Sequence, residues 1–408
     1  LLKNEGDIIP LKQLDKKKIA ALSIGDGVGN EFQKMLGRYD SVACFSISRN
    51  ATAAQVQSVY KKLEKYDVVI CGVHTVRIPE NLALRELAAK KELVYAFFTL
   101  PYFCKAYKPS ILKAKAVVMA YEGTPLAQKY AAQAIFGGIA AKGKLPVSIP
   151  TLYTAGTGVF TEKTRLGYHE PEEVGASPER LDVIASIVED GLEQKAFPGC
   201  QVLVAKDGMI IYDKSFGYFD YDKKQAVENS VYDLASSSKA AGTLLAVMKA
   251  YDDKKFTLNN KISDFIPELK DSDKKNLAVK DLLYHQSGLT PTINFYLNAI
   301  DKDSYKGSLY SNAKNQTHPV RFDARTYVRN DFSFLPNLVS ARKKPGFTTE
   351  IARNMYLHDS FKDTIIQEIK DSHLGVRGKY KYSCINFILL KMMVEKQMRQ
   401  MGDYGAAF

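Results

Sequence analysis

The chain has 408 residues, 46% hydrophobic and 11% aromatic, which is material for two buried cores and excludes a disordered polymer. Its five cysteines (Cys44, Cys71, Cys104, Cys200 and Cys384) are scattered and its six histidines show no i,i+3 or i,i+4 pair, so neither a disulfide framework, a metal site nor a metal cofactor is expected. A net charge of +12 raises the question of nucleic acid, but acidic residues surround the basic clusters at Lys16–Lys18 and Lys379/Lys381 and no nucleic-acid motif accompanies them, so a solvated basic face is predicted.

From the N-terminus, apolar runs at 18–24, 42–45, 67–73, 93–98 and 116–120 alternate with helical spacing at 53–65 and 81–89. This alternation predicts a parallel sheet covered by helices, and the near-continuous apolar strands fit a sheet buried on both faces. Glu122 and His74 fall just past strand ends, where such sheets open onto a ligand crevice, so Glu122 is a candidate sugar-binding carboxylate and His74 a candidate on the same ground. Gly25-Asp26-Gly27-Val28-Gly29 lacks the full dinucleotide-binding spacing and is expected to be a plain turn. The apolar run 93–103 is interrupted by Pro101 and too short to span a bilayer, so no transmembrane segment is predicted.

Two segments bounding this region carry a resemblance. Leu1-Leu-Lys-Asn-Glu-Gly-Asp-Ile-Ile-Pro-Leu11 resembles the entry to the second domain of family 3 glycoside hydrolases, and Gly143-Lys-Leu-Pro-Val-Ser-Ile-Pro150 resembles its closing strand. The resemblance covers residues 1–150 and implies a flavodoxin-like α/β sandwich. In that family the domain follows a TIM barrel that bears the nucleophile. The resemblance therefore implies a missing N-terminal barrel of the same polypeptide as partner, and a chain that is a fragment of a larger protein.

Residues 151–176 are small, polar and turn-like, and are expected to be a linker. Ser177-Pro178 has the chemistry of a helix start, and Lys206-Asp207-Gly208 between alternating apolar residues predicts a hairpin. Next comes Asp233-Leu-Ala-Ser-Ser-Ser-Lys239, running into an apolar helix. It sets a hydroxyl (Ser236) and an amine (Lys239) one helical turn apart. A desolvated amine held near other cations is expected to have a lowered pKa and to take the serine proton. Five other Ser-x-x-Lys pairs, at Ser58, Ser110, Ser272, Ser311 and Ser340, have the same spacing without opening a long apolar helix, and are expected to be ordinary surface pairs.

The segments around Ser236 also match a family. Asp233–Lys239, Phe256-Thr-Leu-Asn-Asn-Lys-Ile-Ser-Asp-Phe-Ile-Pro267, Asp281-Leu-Leu-Tyr-His-Gln-Ser-Gly-Leu289 and Tyr382-Ser-Cys-Ile-Asn-Phe-Ile-Leu-Leu390 resemble, in order, segments of the serine β-lactamase family: class C enzymes and their esterase and D-Ala-D-Ala peptidase relatives. The resemblance implies an α+β domain over 177–408, with Ser236 as nucleophile and with Lys239 and Tyr382 handling the proton. Cys384 stands at a substrate-binding position where the family has asparagine or aspartate. His285 is expected to be a structural hydrogen-bonder, and 290–375 a mostly helical lobe beside the site. No Lys-Thr-Gly or His-x-Gly triplet follows Tyr382, so the domain is expected to be incomplete at its C-terminal end. Together the two resemblances imply a hydrolase joining acyl transfer to a glycosidase module. Its expected substrate is cell-wall peptide or glycan, and its expected location the bacterial envelope, the periplasm or the exterior. The alternative is a pair of non-catalytic scaffold modules supporting the barrel.

Overall fold

In the computed structural model, which describes residues 1–77, 84–221, 225–228, 230–322 and 325–399, the chain divides into two compact units, Leu1–Val231 and Tyr232–Phe408. The first is built on a six-stranded sheet of order β1-β6-β5-β4-β2-β3. Its strands are β1 (Lys3–Asn4), β2 (Ile19–Ile24), β3 (Val42–Ile47), β4 (Val68–Val73), β5 (Glu92–Phe97) and β6 (Ala116–Met119). Strands β2 to β6 run parallel, and β1 is an antiparallel edge.

The strands are apolar on consecutive residues because both faces are buried. Leu22, Val69, Cys71, Leu93 and Tyr95 pack on one side with Val56 and Leu63 of α2 (Ala53–Leu63) and Leu87 of α3 (Leu84–Lys90). Ile19, Ala21, Val68, Ile70 and Val94 pack on the other with Phe32 and Leu36 of α1 (Glu31–Leu36) and with Ile135 and Phe136 of α5 (Pro125–Phe136). A short α4 (Lys108–Ile111) precedes β6. The predicted helix over 81–89 is seen from Leu84; residues 81–83 lie outside the described residues.

The closing strand expected at 143–150 is not a strand. Pro146 and Pro150 remove ladder donors, and the segment makes an isolated bridge from Ile149 to Tyr153 while Leu145 exchanges backbone hydrogen bonds with Thr157 and Gly156. Residues 151–176 include a paired strand, β7 (Gly167–Tyr168), whose Tyr168 N–H donates to Gln133 Oε1 of α5 at 2.7 Å. Strand β7 pairs with β9 (Met209–Gly217), which forms the predicted hairpin with β8 (Gly199–Lys206). Its turn residues Asp207 (φ 54°) and Gly208 (φ 74°) are left-handed, as a two-residue hairpin turn requires. Before it, α6 (Pro178–Glu193) starts on Ser177, whose Oγ accepts from Arg180 N–H at 3.2 Å. By contact, this helix and hairpin group with the first unit.

The second unit is mainly helical around one core. Ala246, Val247 and Ala250 of α7 (Leu245–Asp252), Ile262 of α8 (Ile262–Phe265), Leu282 of α9 (Val279–Leu283), Ile369 of α10 (Phe361–Asp371) and Leu389, Leu390 and Met393 of α11 (Cys384–Arg399) meet there. Leu389 is fully buried, so Leu389→Ala is expected to cost about 2–5 kcal/mol, read as a lower urea midpoint at unchanged slope.

The stretch 290–375 is not the helical lobe expected. Between 3-10 turns and α10 it forms two small antiparallel sheets: β10 (Tyr310–Ser311), β11 (Val320–Arg321) and β12 (Tyr327–Val328), then β13 (Val339–Ser340), β14 (Thr349–Ala352) and β15 (Met355–Leu357). Pro319, Pro336 and Pro345 break helical continuity, and Gly346 and Asn354 supply left-handed turn residues. Among the described residues no helix is long and apolar enough to cross a membrane.

Candidate active site

The site lies in the second unit and begins at a strained turn. Ala235 is left-handed at φ 44°, held by its N–H to Asp233 Oδ1 (2.8 Å) and by Ser238 N–H on its carbonyl (3.1 Å). The turn leaves Ser236 exposed just before the helix. The helix continues as a π-helical segment, Lys239–Leu244, and then as α7. Lys239 N–H donates to the Ser236 carbonyl at 3.1 Å, closing the turn that stacks the two side chains.

The Lys239 ammonium donates to Ser236 Oγ at 3.0 Å, and the Tyr382 hydroxyl donates to the same oxygen at 2.9 Å. Lys239 Nζ is 5.4 Å from the centre of the Tyr382 ring. The serine oxygen thus faces an amine and a phenol, in a mouth open enough that Tyr382 keeps 40% of its surface. None of the other five Ser-x-x-Lys pairs shows such a bond among the described residues: Ser110, Ser272, Ser311 and Ser340 donate to backbone carbonyls instead.

The expected fall in the Lys239 pKa is not found. Burial pulls the ammonium down, but its hydrogen bond with Tyr382 and its interactions with Cys384 outweigh that, and the net shift is upward. With the net shift upward, Lys239 is an ammonium at neutral pH. Cys384, the first residue of α11, is half-buried beside that ammonium.

Tyr382 ends a loop that is pinned by the segment 285–291. Lys381 N–H donates to the His285 carbonyl (2.8 Å), Ser383 N–H to His285 Nδ1 (3.2 Å), Ser383 Oγ to the Thr290 carbonyl (2.6 Å) and Cys384 N–H to the Pro291 carbonyl (2.9 Å). Gly288, at φ 79°, lies so close to the chain that a Cβ there would sit 2.5 Å from the Gly375 carbonyl oxygen. Only glycine fits that crossing.

Two interactions escaped the sequence. Asn386, fully buried, joins Ser287 to His285, and no spacing marks it out. Lys274 is buried with its ammonium on the carbonyls of Lys370 and Ser372 and on the Asp273 carboxylate, a structural clamp hidden in a charged run.

The remaining candidates lie in the first unit. Glu122 is exposed beyond β6 and accepts from Thr124 Oγ1 at 2.9 Å. The His74 ring stacks on Phe98 at 4.5 Å, and burial drives its pKa down to about 4, so it is neutral at pH 7. The Gly25–Gly29 loop is closed by Gln33, whose Oε1 accepts from Gly29 N–H at 2.7 Å. Among the described residues no three His, Cys, Asp or Glu side chains cluster as a metal site.

A family model described as "Beta-lactamase" matches residues 184–404, slightly over half of the chain. "Protein flp" of Staphylococcus aureus (strain NCTC 8325 / PS 47) is 27% identical over 192 residues, covering 44% of this chain and 38% of that protein. A "Putative D-alanyl-D-alanine carboxypeptidase" of Salmonella agona (strain SL483) is 29% identical over 161 residues, 36% of either chain. The match therefore spans well under half the length of these curated relatives. A solved class C beta lactamase aligns over 54% of this chain and 45% of its own, at 18% identity and a TM-score of 0.33.

Proposed function

The chain belongs to the beta-lactamase family, and on that premise we propose that it is a serine acyl hydrolase of the β-lactamase, D-Ala-D-Ala peptidase and esterase type. The observation that carries this reading is the double hydrogen bond to Ser236 Oγ, from Lys239 at 3.0 Å and Tyr382 at 2.9 Å. Ser236 Oγ attacks a carbonyl carbon and forms an ester to the acyl group, while the leaving group departs with a proton. Lys239, charged throughout, stabilises the developing oxyanion character at Oγ. Tyr382 is the proton relay: as the C–O bond forms, its hydroxyl gives its own proton to the leaving group and takes the Ser236 proton in the same step, so the phenol is neutral before and after. Water, activated the same way, then cleaves the acyl ester and restores Ser236. Cys384, beside Lys239, borders the place where substrate must lie.

The substrate reading is cell-wall peptide or a fragment of it, handled in the bacterial envelope or outside the cell. It is supported by the similarity to a protein described as a carboxypeptidase. Residues 1–150 are read as the second domain of a family 3 glycoside hydrolase, with the barrel of the same polypeptide as partner and Glu122 as its sugar-facing carboxylate. Support comes from the end segments and from the parallel strand order β3-β2-β4-β5-β6, the 2-1-3-4-5 order of flavodoxin-like sheets.

The test is the intact mass of the protein before and after exposure to a β-lactam and, separately, to an activated ester. One added acyl group, mapped by peptide mass to Ser236, is the expected result. An adduct with the ester alone places the site on the esterase branch. No adduct with either reagent overturns the acyl-transfer reading and favours the scaffold.

A further inference from the structure

His285 takes no part in the chemistry proposed above, yet it sits at the centre of the contacts that hold Tyr382. Its ring lies 4.6 Å from the Tyr382 ring at 36°, with Phe387 at 5.5 Å and Tyr380 edge-on at 6.0 Å. Its Nδ1 meets two donors, the Ser383 N–H at 3.2 Å and the Asn386 side-chain amide nitrogen at 2.9 Å. The orientation of that amide is fixed from behind. Leu289 N–H donates to Ser287 Oγ (3.1 Å), which donates in turn to Asn386 Oδ1 (2.6 Å), leaving Asn386 Nδ2 to face the histidine. With both neighbours donating, Nδ1 carries no proton, so the ring is the neutral Nε2–H tautomer.

We propose that His285 is the positioning residue for Tyr382: as a neutral acceptor it ties the residue after Tyr382 to a buried Ser287–Asn386 chain and supports the phenol ring against Ser236. Acid then acts as an off switch. A proton on Nδ1 turns the acceptor into a donor facing two donors, and both bonds are lost. The groups facing the ring set the charge balance. Lys239 is the cation on the nucleophile helix, Tyr380 and Tyr382 come from the loop, Asn386 and Phe387 from α11, and on its own side the Asp281 carboxylate is taken up by Arg377 at 2.7 Å. Burial and the Lys239 charge both hold the imidazole below its ordinary pKa, so the neutral form prevails at pH 7.

The inference rests on the acyl-transfer reading for its effect on rate, but it can be read without any turnover. The test pairs His285→Asn with His285→Ala. Asparagine places an oxygen near the Nδ1 position, tolerates the left-handed backbone found here (φ 53°), and does not titrate. The first readout is the Tyr382 ring resonance in protein labelled on tyrosine, assigned with Tyr382→Phe and followed from pH 8 to about pH 4. In the wild type it is expected to move with a single midpoint below about 6.5, the ordinary imidazole value. In His285→Asn it is expected to stay flat over that range. The second readout is the acylation rate: an acid limb with the same midpoint in the wild type, no such limb in His285→Asn, and a loss of roughly 10-fold or more at every pH in His285→Ala, where the acceptor is gone. A Tyr382 resonance that does not move in the wild type, or that titrates alike in His285→Asn, overturns the proposal, and His285→Asn suffices for this if His285→Ala does not fold. If the resonance follows His285 while Ser236 takes no acyl group at any pH, the positioning role stands and the acyl-transfer reading falls.

Discussion

Ser236→Ala is expected to abolish the acyl adduct and to lower any ester or β-lactam turnover by at least about 10³-fold, with melting unchanged within about 2 °C. The asymmetry follows from where the residue sits. Its hydroxyl is exposed and belongs to no core, so its removal opens no cavity. Water can replace it as partner to the Lys239 ammonium and the Tyr382 hydroxyl, which keeps the stability change near the surface norm of about 0.5 kcal/mol. The rate has no such substitute, because no other side chain of the site presents an oxygen that is bonded to both groups. Intact-mass and thermal-melting measurements on the same preparation separate the two effects. A variant that still forms the adduct would assign the nucleophile elsewhere, with Cys384 the first residue to examine.

Lys239→Met is expected to slow acylation by about 10²–10⁴-fold, because it keeps the length of the side chain while removing its charge and its hydrogen bond to Ser236. Lys239→Arg should recover part of this loss and not all of it, since a planar guanidinium cannot place a point charge at the position of Nζ. The pH dependence distinguishes the two possible roles of the amine. The Lys239 pKa is raised above the ordinary lysine value of 10.5, so the charged form persists as pH rises toward that value and is lost only beyond it. If the charge is what counts, as proposed here, the wild-type rate loses nothing through Lys239 between about pH 8 and 10. If the neutral amine were the base, the rate would climb about tenfold per pH unit over that range in the wild type and not in Lys239→Met. A pH–rate profile of acylation decides between them.

Much of the frame was legible in the chain. Five strands of the first unit stand within two residues of their expected ends, because a sheet buried on both faces writes itself as unbroken apolar runs. The hairpin was marked by Asp207-Gly208, and the start of α6 by Ser177-Pro178, both local chemistry that one sequence exposes in full. Ser236, Lys239 and Tyr382 were singled out by motif, and the structure brings the three side chains into contact across 146 residues of chain. The misses share a cause. The direction of the Lys239 shift depends on Tyr382 and Cys384, both far away in sequence, so a rule about lysines beside serines could not supply its sign. Asn386 is one more polar residue on an apolar helix until Ser287 and His285 are seen on either side of it. In 290–375 the family resemblance implied a mostly helical lobe, whereas short β ribbons of two to four residues leave too little periodicity to read.

The π-helical segment Lys239–Leu244 has a consequence for insertions and deletions. Seven residues separate Lys239 from Ala246, close to two full turns of a regular α-helix, so uniform α-geometry would put the lysine on the core stripe with Ala246 and Ala250. The wider turn holds one residue more than an α-helix uses over that length, and the lysine falls instead on the side facing Ser236 and Tyr382. Loss of one residue after Lys239, within 240–244, would therefore regularise the helix and leave both ends aimed as they are. Loss of one residue within α7 would swing everything after it by about 100° and carry the buried face out of the core. Chain length in this helix is tolerant beside the site and intolerant beneath it, the reverse of what proximity to the nucleophile would suggest.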